Sequence, residues 1–170
     1  LSVTRVQFVH GLESGPGGTK ARYLAERFPE AVTPAMNTKD FEASVQLQLD
    51  TIREKAPDVL VGSSFGGAVA VALLQRGAWS GPTILLAPAV KHLGLRVSLP
   101  ENVRVIIVHG TQDDIVDIET SRLLAKCGSP GHVELIEVDD AHRLQSLVSD
   151  ATLADLVERV AQPVMISGPA

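Results

Sequence analysis

The stretch from Val59 to Leu74, VLVGSSFGGAVAVALL, constrains the fold of this chain more than any other. It opens on an apolar run, Val59-Leu60-Val61, of the length of a buried strand. It then passes through Gly62-Ser63-Ser64-Phe65-Gly66 into a nearly all-apolar helical segment that ends at Arg76-Gly77. Strand, G-x-S-x-G and helix in that order make a nucleophile elbow. The reason is steric. A serine at the tip of so sharp a turn has a strained backbone, and its neighbours two positions to either side must lack bulk. Gly62 and Gly66 meet that need for Ser64, whereas Ser63 has the wrong glycine spacing. The turn lifts the Ser64 hydroxyl above the sheet at the N-terminus of the next helix, where free N–H groups and the helix dipole favour a developing oxyanion. Taken alone, the five residues also fit a plain Ser/Gly turn. The strand before and the helix after distinguish the two.

The rest of the chain alternates in the same way. Arg5 to Val9 is a β-leaning run ending in His10-Gly11, followed by a Gly/Pro-rich loop from Leu12 to Gly18. From Thr19, an expected N-cap, apolar residues at Ala21, Leu24, Ala25 and Phe28 trace an amphipathic helix that Pro29 stops. Ala31 to Ala35 is expected to be a second strand, placed at a sheet edge because Pro34 cannot donate to a ladder. Phe41, Val45, Leu49 and Ile52 share one helix face, and Pro57 separates that helix from the elbow. Further strands are expected at Thr83–Leu86, Val103–Val108 and Val133–Val138. Helices are expected from Asp117 to Lys126 and from Leu153 to Val160. Six strands and about five helices predict an α/β three-layer sandwich, with a mainly parallel sheet in the order 2-1-3-4-5-6 and right-handed crossovers. Residues 1–162 form the expected single domain and 163–170 a C-terminal tail. Ligands of such sheets bind at the carboxyl ends of the strands. There His10, Ser64, Lys91, His109, Asp113 and Asp140 are expected to gather.

Composition removes several classes of function. A net charge of −5 argues against binding nucleic acid or an anionic membrane surface. Cys127 is the single cysteine, so no intramolecular disulfide can form, which suits a reducing compartment. No charged-then-apolar leader precedes Thr4, and no apolar run approaches the roughly 18 residues that span a bilayer. The cytoplasm is the expected location.

A serine hydroxyl is a weak nucleophile near neutral pH and needs a base, usually a histidine oriented by a carboxylate. Both follow Ser64 in the sequence, each just past an expected strand. His109-Gly110-Thr111-Gln112-Asp113-Asp114 follows one, with Asp113 and Asp114 as rival acids, and Asp139-Asp140-Ala141-His142 follows the next. Each of these residues has a plainer reading. His142 also fits a surface helix cap, and Asp139 with Asp140 a solvated turn. His10 and His109 read as buried or loop-fixing imidazoles, His132 as a surface residue and Cys127 as packing. No metal site is expected from them.

Taken together, Val9-His10-Gly11-Leu12, the elbow Gly62 to Gly67, His109-Gly110 with Asp113 and Val116, and His142 resemble a small α/β-hydrolase without its usual first two antiparallel strands. Gly11-Leu12-Glu13-Ser14-Gly15-Pro16 with Lys20-Ala21, Val61 to Ser64, and Ala87-Pro88-Ala89-Val90 are most similar to bacterial YqiA-type esterases. Beyond Val90 this narrower match is looser. The resemblance implies Ser64 as nucleophile, His142 as general base and Asp113 as its orienting carboxylate, the last from the family's His-Gly-x-x-Asp-x-x-Val spacing. It implies an oxyanion hole from the backbone N–H groups of Leu12 and Phe65, no cofactor and no metal.

Val90 to Asn102 is too short to hold the helical cap domain that many relatives carry, so the site is expected to be open. Leu12, Phe65, Val90 and Leu93 are then the candidates for apolar contact with substrate. The expected reaction is hydrolysis of short or medium acyl carboxylic esters through an acyl-enzyme, with a small-molecule ester or thioester as substrate, no nucleic acid and no membrane span. An acyl-CoA thioesterase or acyltransferase using the same triad is the alternative, with Lys91, His92 and Arg96 as an anion patch or simply a solvated basic loop. A non-catalytic ligand-binding protein on the same shell is the third reading.

Overall fold

The computed structural model describes residues 3–164. Five strands, β1 (Val6–Val9), β2 (Val59–Ser63), β3 (Thr83–Leu86), β4 (Val105–Gly110) and β5 (Val133–Val138), form one sheet in chain order, every neighbouring pair parallel. The helices are α1 (Thr19–Arg27), α2 (Phe41–Lys55), α3 (Phe65–Gln75), α4 (Ile118–Ala125), α5 (Ser146–Ser149) and α6 (Thr152–Ala161).

The period-2 alternation of the strands sorts their side chains into two cores. Val6, Phe8, Val59, Val61, Ile84, Leu86, Ile106 and Val108 face α1, α5 and α6, against Leu24, Leu147, Leu153 and Val157. Leu60, Leu85, Val105 and Ile107 face the other way, onto α2, α3 and α4 through Val45, Val69, Leu73 and Leu124. This is the expected three-layer arrangement. Ten of the eleven residues of α3 are buried, which explains why its sequence has no polar face.

Two features of the sheet differ from the sequence expectation. It has five strands, not six, and its order is β1-β2-β3-β4-β5 rather than 2-1-3-4-5-6. The segment Ala31–Ala35 supplies only a single parallel bridge, Val32 beside Gln7, with the Val32 N–H donating to the Val6 carbonyl and the Phe8 N–H to the Val32 carbonyl. Pro34 has no N–H with which to extend that pairing. The fourth strand also runs two residues further than expected and takes in His109 and Gly110.

At the helix ends, Asp117 caps α4 as expected, accepting from the Glu119 N–H at 2.9 Å. The N-cap of α1 is Gly18 rather than Thr19, with no side-chain cap. Between Val90 and Asn102 the chain makes only a short 3₁₀ turn, Lys91–Leu93. The expected tail from 163 lies outside the described residues from 165 onward. Among the described residues no helix is long and apolar enough to cross a membrane.

Candidate active site

Ser64 occupies the sharp turn between β2 and α3 with φ 55° and ψ −112°, a conformation that non-glycine residues rarely adopt and that costs on the order of 1–3 kcal/mol. Its surroundings over-determine it. The Ser64 N–H donates to the Leu86 carbonyl at 2.9 Å, and its own carbonyl accepts from Ala68 at 3.1 Å and Ala89 at 3.0 Å. The flanking glycines are required by close approach. A methyl group at Gly62 would come within 2.5 Å of the Gly66 carbonyl oxygen, and one at Gly66 would fall on the carbonyl of Val9. Packed this tightly, the turn leaves the serine hydroxyl as its outward-facing group.

The loops after β4 and β5 bring two side chains to that hydroxyl. His142 Nε2 lies 3.0 Å from Ser64 Oγ, and His142 Nδ1 lies 2.7 Å from Asp113 Oδ2. With the hydrogen on Nδ1 donated to the carboxylate, the Nε2 lone pair faces the serine O–H. The other oxygen of Asp113 accepts the N–H groups of Ile115 at 2.8 Å and Val116 at 2.9 Å, and the side chain is wholly buried. Burial pushes its carboxyl up. The Val116 N–H, the His142 ring and the Ile115 N–H outweigh it, so Asp113 is held below the usual carboxylate range. Asp114, the rival acid, is exposed.

Two further histidines buttress this rim. His109 is fully buried in β4, with Nδ1 2.7 Å from Ser121 Oγ and Nε2 2.9 Å from the Val116 carbonyl. Its ring thereby holds the turn whose N–H groups grip Asp113, and Nε2 is 3.1 Å from Asp113 Oδ2. His10 follows β1. Its Nδ1 is 2.8 Å from the Gly11 carbonyl, and its Nε2 accepts the Met36 N–H at 3.0 Å. In a trans peptide the carbonyl and the next N–H point in opposite directions. The Gly11 carbonyl is turned toward His10, so the Leu12 N–H is turned away from it. Gly11 itself lies against Ser64, since a Cβ there would sit 3.6 Å from Ser64 Cβ. The N–H of Phe65, first in α3, has no intrahelical acceptor. Both readings of these histidines as fixing loops rather than acting as bases agree with the contacts.

Of the residues expected to touch substrate, Leu12 is well exposed and Leu93 half-buried. Phe65 and Val90 are core residues, Phe65 stacked edge-on against Phe41 with ring centroids 5.8 Å apart. Ile115, which the sequence reading passed over, is exposed beside Asp113. Lys91, His92 and Arg96 are exposed on the connector after β3. Cys127 is half-buried, with Sγ 3.5 Å from the carbonyls of Val97 and Leu123. Asp140 is more than a solvated turn. One oxygen accepts the N–H and hydroxyl of Ser146 at 2.9 and 2.7 Å, and the other accepts the Ala141 N–H at 2.8 Å. Asp139 takes a hydrogen bond from Gln112. Two clefts, lined by residues such as Arg5, Glu30 and Asp58, lie at the amino ends of the strands, the far side of the sheet from Ser64. Among the described residues no group of three or more His, Cys, Asp or Glu side chains is placed to hold a metal ion.

A parallel sheet between two helical layers, carrying a strained serine where β2 meets α3, is the α/β-hydrolase fold, and solved structures of that class cover nearly the whole chain. A protein from Xanthomonas campestris pv. campestris, described as a hydrolase of the alpha/beta superfamily, is 23% identical with a TM-score of 0.72 over 94% of this chain and 99% of that one. Mouse alpha/beta hydrolase domain-containing protein 10 is 17% identical, with a TM-score of 0.73 over 94% and 92%. A monoacylglycerol lipase from Paleococcus ferrophilus is 15% identical, with a TM-score of 0.69 over 92% and 93%. No curated protein sequence matches the chain. Within the fold class, the chain belongs to the uncharacterised protein family UPF0227, the YqiA-like family, whose pattern matches residues 5–96. The matched stretch holds the first loop and the elbow, whereas Asp113 and His142 lie beyond it.

Proposed function

We propose that this protein is a serine hydrolase that cleaves carboxylic esters of short or medium acyl chains through an acyl-enzyme, in the cytoplasm. One observation carries the reading: Ser64 Oγ, the His142 ring and the Asp113 carboxylate form an unbroken hydrogen-bonded chain at 3.0 and 2.7 Å. These are the separations that general-base activation of a hydroxyl needs.

In the proposed mechanism, Ser64 Oγ attacks the ester carbonyl while His142 Nε2 takes its proton. Asp113 stabilises the imidazolium, and the N–H groups of Phe65 and Leu12 receive the oxyanion. The carbon–oxygen bond to the alcohol then breaks, and His142 returns the proton to the leaving oxygen. Water, deprotonated by the same nitrogen, attacks the acyl-enzyme, and the carboxylic acid leaves as Ser64 recovers its proton. Short and medium chains suit a rim whose exposed apolar side chains are Leu12 and Ile115, with only a 3₁₀ turn between Val90 and Asn102.

The test is incubation with a fluorophosphonate probe and location of the adduct by mass spectrometry, followed by turnover of p-nitrophenyl esters of increasing chain length. The expected result is labelling at Ser64, turnover that falls with longer chains, and a loss on the order of 10⁶ in kcat for Ser64→Ala. Folded protein that neither labels nor turns over any ester would overturn the reading in favour of a binding protein on the hydrolase fold.

A further inference from the structure

We propose that Lys20 is a positioning residue for His142, its ammonium holding the peptide that follows the histidine and so fixing the imidazole against Ser64. The inference rests on the serine-hydrolase reading above. His142 is the second residue of a turn, Ala141 to Leu144, closed by the Leu144 N–H donating to the Ala141 carbonyl at 3.1 Å. The peptide between Arg143 and Leu144 is therefore held at both ends. Ala141 takes its N–H, and Lys20 Nζ donates to its carbonyl at 2.5 Å.

Leu144 has φ 51° with a buried side chain, a left-handed conformation taken without a glycine. Local bonds, the Leu144 N–H on the Ala141 carbonyl and the Leu147 N–H on the Leu144 carbonyl, are joined there by one contact from elsewhere in the chain, Lys20, 123 residues away. It projects from the first turn of α1, just after the loop that carries Leu12. One side chain thus ties the loop of the proposed base to the loop of a proposed oxyanion donor. A second link, Glu13 to Arg143 at 3.5 Å, joins the same loops, but both side chains are largely exposed and the pair is screened.

Lys20 is unlike that pair. Its partner is a carbonyl oxygen, and among the described residues no carboxylate lies within ion-pair distance of Nζ. Burial lowers its pKa, Asp140 nearby opposes that shift, and Arg143 adds to it. Lys20 is half-buried, and its ammonium is committed to a main-chain carbonyl 123 residues away, a contact that the surface of α1 does not require. Holding a strained turn that presents an imidazole accounts for it. The residue falls in the early Gly11–Ala21 motif, where the chemistry of the triad leaves it without a role.

The experiment compares wild type, Lys20→Met and Lys20→Arg in three measurements: the rate of fluorophosphonate labelling at Ser64, kcat and KM on p-nitrophenyl butyrate, and melting temperature. Lys20→Met is expected to melt within a few degrees of wild type, to lose about 10- to 100-fold in both kcat and labelling rate, and to keep KM within about threefold. Lys20→Arg is expected to recover most of that loss, because a guanidinium can donate to the same carbonyl. A Lys20→Met variant with kcat within about twofold of wild type overturns the inference. So does a loss confined to KM, which would make Lys20 a substrate contact, or an arginine variant no better than methionine. Should Lys20→Met not fold, Lys20→Leu, which also lacks a donor, is judged by the same criteria. A wild type that fails to label overturns the hydrolase reading. A labelled wild type with an unaffected Lys20 variant overturns this inference alone.

Discussion

The serine turn and the histidine turn meet across 3.0 Å, yet they are built by opposite means. Around Ser64 everything is main chain and core. The strained residue is gripped by carbonyls and N–H groups of β3, α3 and the segment after β3, between two glycines that admit no side chain. Around His142 main-chain bonds, Leu144 N–H to the Ala141 carbonyl and Gln112 N–H to the Asp140 carbonyl, are joined by side chains: Lys20 on the Arg143 carbonyl, Gln112 on Asp139, and the loop's own Asp140 on the N–H and hydroxyl of Ser146. The first turn cannot move without unpacking the sheet. The second rests in part on side chains that can be replaced without touching the sheet. A nucleophile so fixed and a base so held divide the work of precision unequally, and the histidine side is where activity can be tuned without loss of the fold.

After removal of Ser64 itself, the largest expected effect breaks the link between them. Asp113→Asn keeps an oxygen for the N–H groups of Ile115 and Val116, so its amide nitrogen must face His142 Nδ1. That forces the hydrogen to Nε2, where it points at Ser64 and removes the base. A loss of roughly 10⁴ in kcat with little change in melting temperature is expected. A variant that keeps more than a tenth of wild-type kcat would show that the carboxylate does not set the tautomer.

Next in size is Gly66→Ala, which strikes the main-chain side. The added methyl falls on the Val9 carbonyl, where backbone on both sides prevents relief. Destabilisation of about 4 kcal/mol or more is expected in urea unfolding, with activity lost as the fold is lost. If the variant is stable but inactive, the elbow is softer than its contacts imply, and the contrast with the histidine turn narrows.

That contrast also decides what could be read without coordinates. The elbow was legible because its rule is local: glycines two residues either side of a serine, after an apolar run. The five strands of the sheet were legible as apolar runs too. Ala31–Ala35 was not, because propensity cannot say that Pro34 would reduce a strand to one bridge at Val32. His109 was placed beyond its strand because a polar residue rarely marks a strand interior, and only the contacts to Ser121 and Val116 show why it is buried. Phe65 and Val90 looked like substrate contacts because apolar residues near a site can serve either surface or core, and here they serve the core. The order along the chain brings a serine, an acid and a histidine together, and the resemblance, not the order, selects Asp113 over Asp114. The clamps on the histidine turn were not legible, since nothing local links Lys20 to Arg143, or tells a solvated Asp140 from one that accepts three hydrogen bonds.

The smallest expected effect concerns Asp140, whose role tests whether the histidine turn has one outside support or several. The Ser146 N–H is the main cause that holds its carboxyl below the usual range. Burial opposes it, and the Ser146 hydroxyl, the Ala141 N–H and the Lys20 charge add to the lowering. A carboxyl with a depressed folded pKa stabilises the fold at pH values above its unfolded pKa of about 3.9. That contribution disappears as pH falls through the lower folded value. Asp140→Asn keeps the shape but weakens the acceptor, so it is expected to cost about 1 kcal/mol in urea unfolding at pH 7. As pH falls through the folded value the two proteins should converge, because the wild-type carboxyl is then being protonated as well. Turnover at pH 7 should fall by no more than about threefold, since the Arg143 carbonyl keeps its lysine and the asparagine oxygen still accepts from Ser146. A stability gap that persists into acid would mean the carboxylate charge is not what anchors Ser146. A turnover loss as large as that of Lys20→Met would mean that the two supports act as one, with the turn held by a coupled Lys20–Asp140 network rather than by a single ammonium on a single carbonyl.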